Sequence, residues 1–120
     1  MTSTMTSELV KSEPKMTKRR RTVNVVVYRV GEEPFVETIE DTLDAQQEIV
    51  GGYIEGVGLG NSLLLICNEE GKLKGLPPNR LVPGRDLIVG NFFVTRTNSE
   101  GESDNITEAD LLYLKKNYDL

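Results

Sequence analysis

The sequence predicts an α+β domain: a curved, mainly antiparallel sheet of five or six strands with two short helices packed on it. Three observations lead there. Strand-like runs follow one another through tight turns across residues 53–96, with no helix between them, which suits antiparallel neighbours and argues against a doubly wound parallel sheet. Residues 23–30, VNVVVYRV, form a β-branched run too continuously apolar for a one-sided edge strand, so they belong in the middle of a sheet. Only two stretches carry helix start and stop signals, and both are too short to be stable without a sheet to lie on.

Gly31-Glu32-Glu33-Pro34 breaks the first strand, and residues 35–39 alternate Phe35, Glu37 and Ile39 against Val36 and Thr38, so they return as a second strand beside it. Asp41-Thr42 offers an N-cap and Gly51-Gly52 a stop for a helix over residues 44–50, with Leu43, Gln46, Gln47 and Val50 on one side. A hairpin follows. Residues 53–59 and 62–67 flank Gly60-Asn61, a glycine-led two-residue turn of the II′ type, which pairs Val57 with Leu64, Gly56 with Leu65 and Glu55 with Ile66. That register puts Ile54, Gly56 and Gly58 on one face beside Leu63, Leu65 and Cys67, with the glycines leaving a shallow depression for the helix or a ligand.

Asn68-Glu69-Glu70-Gly71 has turn composition, and residues 72–76 alternate like a half-exposed strand of a second hairpin. Pro77-Pro78-Asn79-Arg80 reads as a loop that cannot continue a ladder. Leu81-Val82 is a brief extended piece before the Pro83-Gly84-Arg85 turn. Residues 86–96, DLIVGNFFVTR, make the last long strand, bent at Gly90-Asn91 but kept within one curved sheet. The polar stretch 98–105 is a loop. Thr107 with Asp110 three residues on resembles a capping box, and Leu111, Leu112, Leu114 and Tyr118 form the apolar stripe of a C-terminal helix.

Residues 1–21 are Thr, Ser, Lys and Glu with almost no apolar periodicity and end in Lys18-Arg19-Arg20-Arg21, so they read as a disordered basic tail before a single domain over 22–120. The charges are segregated. The tail carries six basic and two acidic residues, while the remainder holds eight basic and seventeen acidic. The tail's basic run is either a solvated leader or a nuclear-targeting or nucleic-acid contact. No histidine, no tryptophan and a single cysteine exclude zinc fingers, Cys-His nucleophiles, serine triads and internal disulfides. Cys67 sits in an apolar run and is expected to be a buried thiol in a reducing, intracellular, cytoplasmic setting, or a nuclear one in a eukaryotic host. No apolar stretch approaches a membrane span, and no cofactor or metal motif is present.

Gly56-Val57-Gly58-Leu59-Gly60 invites a phosphate-loop reading, but a strand follows it where the helix that holds the anion should begin. Acidic groups in the turns are a solvated rim. Asn79 and Arg80 follow two prolines that stiffen the backbone, so two readings stand: a guanidinium fork presented to an anionic ligand, with Tyr53, Gly56 and Gly58 nearby, or an internal clamp from Arg80 to Glu55 or Asp86. The runs QEIVGGYIEGVGL, LLLICNEEGKLKGLPPNR and DLIVGNFFV resemble the family called domain of unknown function 3846, small proteins met in phage, prophage and other mobile elements. The resemblance covers about residues 22–118. It implies an intracellular accessory protein and supplies no catalytic residue; Gly56-Val57-Gly58 is more glycine-rich than that pattern leads one to expect.

The function expected is a non-enzymatic binding protein, a phage or mobile-element accessory such as a counter-defence factor, whose partner is a host protein or a small anionic ligand. The alternatives are a nucleic-acid-associated protein acting through Lys18, Arg19, Arg20 and Arg21, and an acidic mimic of DNA.

Overall fold

A computed structural model describes residues 21–120. Strand β1 (Thr22–Tyr28) and β2 (Phe35–Glu40) form an antiparallel pair, with Val25 opposite Glu37 and Val27 opposite Phe35. Helix α1 (Leu43–Val50) is N-capped by Thr42, whose hydroxyl accepts from the Ala45 amide, and it stops at left-handed Gly51. Strands β3 (Ile54–Gly60) and β4 (Leu63–Asn68) make a hairpin. Two short strands, β5 (Pro78–Leu81) and β6 (Leu87–Val89), pair only with each other. Strand β7 (Phe92–Thr97), the two-residue β8 (Ser103–Asp104) and helix α2 (Glu108–Tyr118) complete the chain.

The main sheet is open and antiparallel, in the order β2-β1-β7-β4-β3, with β8 added to β7. The fold is α+β, as expected, and the apolar run of β1 lies inside the sheet because both of its faces are covered. Val23, Val25, Val27, Ile66, Phe93 and Val50 of α1 fill one face. On the other, Val26, Tyr28, Leu65, Phe92 and Val94 pack under Leu114 of α2 and under Val82 and Ile88 of the β5–β6 lobe. The chain therefore has three layers, with α1 on one side and α2 plus the lobe on the other.

The β3–β4 hairpin differs from expectation by one residue. Asn61 and Ser62 both have positive φ, as the two central residues of a type I′ turn require. Gly60, also at positive φ, pairs with Leu63, so a bulge leaves Leu59 without a ladder partner, and Val57 faces Leu65, Gly56 faces Ile66 and Glu55 faces Cys67. A one-residue slip exchanges the two faces of a strand. Val57 and Leu59 accordingly join Leu63, Leu65 and Cys67, whereas Ile54 lies with Leu64 and Ile66. The carbonyl of bulged Leu59 accepts from the Tyr113 and Tyr118 hydroxyls, which tie α2 to the hairpin.

Three further expectations are corrected. Residues 72–76 form consecutive turns and no strand, with Leu73 turned outward. Pro78 does enter a ladder, because it is the first residue of a strand whose outer edge needs no amide donor. Residues 86–96 do not stay in one sheet: Gly90, at φ +75 and with a Leu76 methyl where a Cβ would stand, sends β6 into the lobe and β7 into the main sheet. Helix α1 also turns differently. It seals the sheet with Val50 and Ile49 and leaves Leu43 exposed, and the space over Gly58 stays open.

Lys18, Arg19 and Arg20, with the rest of residues 1–20, lie outside the described residues. Arg21 lies inside them: its guanidinium donates to the Ser103 carbonyl and stands 3.7 Å from Asp41. Among the described residues no helix is long and apolar enough to cross a membrane.

Candidate functional site

The sequence-predicted binding residues do not converge. Asn79 and Arg80 belong to β5, on the face of the sheet occupied by Tyr28. Gly56 and Gly58 open onto the opposite face, which they share with Leu64 and Ile66, and Tyr53 is exposed ahead of β3. Arg80 bridges neither Glu55 nor Asp86. Its guanidinium lies 5.6 Å from the centroid of the Tyr28 ring, while Asp86 pairs with Lys72. The clamp is Asn79, whose amide donates to the Tyr28 carbonyl at 2.9 Å and to the Gly90 carbonyl at 2.8 Å, fastening the lobe to the sheet at the kink.

A different site is assembled where the lobe meets the β3–β4 hairpin. A cleft of about 170 Å³ opens there between the 69–75 turns and β6. Its apolar lining is Val57, Cys67, Leu73, Leu87, Ile88 and Val89, and its charged groups are Glu55, Glu69, Lys72 and Asp86. The rim is held by Asn68, buried and bonded in two directions: its amide nitrogen donates to the Val50 carbonyl and its oxygen accepts from the Glu70 amide, an Asx turn that fixes Glu69 and Glu70. Lys72 closes one side through its ion pair with Asp86.

The electrostatics follow from the register. Glu55 stands opposite Cys67, and the Glu69 amide donates to the Tyr53 carbonyl two pairs further along, beyond Ile54 and Asn68. Glu55 and Glu69 are therefore diagonal neighbours on one face, with Cys67 between them, and among the described residues neither has a cationic partner. Burial first, and then the carboxylates of Glu55 and Asp86, together push the Cys67 thiol up to about 11. A thiol so placed stays protonated near neutral pH and is a poor nucleophile. Among the described residues no three acidic or thiol groups gather closely enough to hold a metal ion.

Beside the cleft the lobe turns leucines to solvent. Leu73 is 89%, Leu81 70% and Leu87 39% exposed. Leu81 and Leu87 are opposed partners in the β5–β6 ladder, and Leu87 shares the cleft wall with Leu73, so the three form one apolar row. Sequence reasoning missed this row. It took residues 72–76 for an alternating, half-exposed strand, and only the Glu-Gly and Lys-Gly turn signals on either side of Leu73 hinted otherwise.

The pattern of the family described as Domain of unknown function (DUF3846) matches residues 23–119, which span β1 through α2. The chain belongs to this family. No curated protein and no solved structure matches it. The DUF3846 match takes in the cleft, the leucine row and the Asn79 clamp and begins just after Arg21.

Proposed function

We propose that this DUF3846 chain is a non-enzymatic interaction module that works inside the cell and docks an apolar segment of a partner protein on the β5–β6 lobe. The row Leu73-Leu87-Leu81 carries the reading. Large side chains turned to water in a contiguous row mark association surfaces, whereas single exposed apolar residues are ordinary. The small size of the neighbouring cleft points the same way: pockets that enclose a whole small molecule run to roughly 300–1,000 Å³. Its only thiol is held protonated, which disfavours covalent catalysis, and its free carboxylates disfavour a small anion. A free, buried Cys67 suits a reducing compartment.

The test compares proteins captured from lysate by wild type, by Leu73→Ser/Leu81→Ser and by Leu112→Ser, whose exposed leucine lies on α2. The lobe variant loses the specific captures at unchanged melting temperature, and Leu112→Ser keeps them. Retention by the lobe variant rejects the reading.

A further inference from the structure

Resting on that reading, we infer that the cleft selects its partner by taking up one cationic side chain, a lysine or arginine of the docked segment, between the carboxylates of Glu55 and Glu69. The flanking apolar residues of the same segment lie along Leu73, Leu87 and Leu81.

The cleft's composition matches such a side chain part by part. Lysine and arginine carry an apolar stem and a charged tip, and they bury the stem while keeping the tip among polar groups. The inner wall here is Val57, Cys67 and Ile88, which would receive the stem, and the two exposed carboxylates stand at the rim, where the tip would emerge. The volume of about 170 Å³ is on the scale of one side chain rather than a cofactor.

Charge complementarity names the sign of the guest. Four charged side chains line the cleft, and Lys72 is engaged by Asp86, so the pair Glu55 and Glu69 is left uncompensated. Their diagonal placement, Glu55 on β3 and Glu69 in the turn just after β4, sets like charges near one another, and both reach water. A cation between them removes that repulsion and gains two charge-assisted contacts; an anion would meet both carboxylates and is excluded. Arg80 and Arg85 do not alter this field at the rim, since Arg80 lies over Tyr28 and Arg85 donates to the Gly58 carbonyl and lies over Tyr118.

The experiment uses the full chain, isotope-labelled, titrated with the capped peptide acetyl-Leu-Val-Lys-Val-Leu-amide, with the same peptide carrying norleucine or glutamate in place of lysine, and with n-butylammonium chloride alone. The lysine peptide shifts the amide resonances of Glu55, Cys67, Glu69 and Leu87. It binds about tenfold more tightly than the norleucine peptide, and the glutamate peptide is weaker still. Glu55→Gln and Glu69→Gln each reduce affinity about threefold, the size of a single exposed ion pair, and added salt erases the difference between lysine and norleucine. Equal binding of the lysine and norleucine peptides, or shifts confined to other surfaces, overturns the inference. So does n-butylammonium binding as tightly as the peptide, which would make a free amine the ligand. Loss of all peptide binding in Leu73→Ser/Leu81→Ser, with Glu55→Gln/Glu69→Gln unaffected, preserves the docking surface and rejects the cation. Cleft shifts that survive in the leucine variant do the reverse.

Discussion

Around α2, polar groups are turned inward and satisfied, whereas on the β5–β6 lobe apolar groups are turned outward and left bare. Asp110 is buried, yet every demand on it is met: one oxygen pairs with Arg96 at 2.7 Å, and the other accepts from the Thr107 amide to complete the capping box. Tyr113 and Tyr118 both donate to the one carbonyl that the β3 bulge leaves over. On the lobe, the Lys72–Asp86 pair is largely exposed and three leucines face solvent. Polar groups around α2 are buried with partners, whereas the leucines of the lobe are left to solvent. The lobe is where a second molecule would add what α2 already has.

The sharpest way to probe this difference is to truncate a residue on each side of it. Phe92 is fully buried and stacks on Tyr28 with ring centroids 4.7 Å apart. Phe92→Ala should cost about 4 kcal/mol, the range for an aromatic removed from a packed core. Urea unfolding checks it, and a loss like that of an exposed residue would mean that the two covered faces of the sheet are not a true core.

The join between the regions rests on Asn79. Removing its amide leaves the Tyr28 and Gly90 carbonyls without that donor, so Asn79→Ala should cost about 2 kcal/mol. It should also speed amide exchange in β5 and β6 more than in β1 and β7, since the lobe is what it fastens. Uniform acceleration across both sheets would show that the lobe is not a separable unit.

The inner place of β1 was legible because Val23, Val25 and Val27 alternate with Val26 and Tyr28, and a strand apolar on both faces has one place to go. The caps were legible for a local reason: Thr107 and Asp110 carry their geometry in a three-residue spacing. What failed depended on one residue's conformation. Whether the turn after β3 starts at Gly60 or Asn61 is decided by which residues take positive φ, and Asn and Gly both tolerate it. That choice moved Glu55 from opposite Ile66 to opposite Cys67 and with it the whole lining of the cleft. Gly90 hid the lobe in the same way, since a glycine in a strand reads equally as a bend or as a departure from the sheet. Arg80 was sought beside carboxylates because ring faces carry no charge in a sequence.

Cys67 links the core to the cleft, and pH tests it. Its thiol titrates near 11 in the folded chain against an ordinary value of 9.0, so the unfolded chain loses this proton first as pH rises. The stability this group contributes is therefore complete below about pH 9 and is lost as pH climbs through about 11. The loss is on the order of 3 kcal/mol, two units at about 1.4 kcal/mol each. Cys67→Ala should flatten that part of the alkaline unfolding profile, and an unchanged slope would mean that the thiol is not desolvated.

The smallest effect belongs to Arg80, which reaches from the lobe onto Tyr28 where core and surface meet. Without a carboxylate partner among the described residues, Arg80→Ala abandons no buried charge, so the cost of several kcal/mol that follows breaking a buried ion pair does not apply. What is lost is a cation over a ring, together with the stem that covers it, about 0.5–1 kcal/mol. A second readout separates this from ordinary surface truncation. Burial holds the Tyr28 phenol up at about 12 while the Arg80 charge opposes that rise. Removing the charge should therefore move the phenol titration higher still, whereas Arg80→Lys should leave most of the opposition in place. A phenol that titrates unchanged in Arg80→Ala would mean that the guanidinium does not rest on Tyr28. An anion recognised by Arg80 would have to draw it away from the ring, so adding inorganic phosphate to wild type should then reproduce the Arg80→Ala titration. With Arg80 serving the lobe from within, phosphate changes nothing.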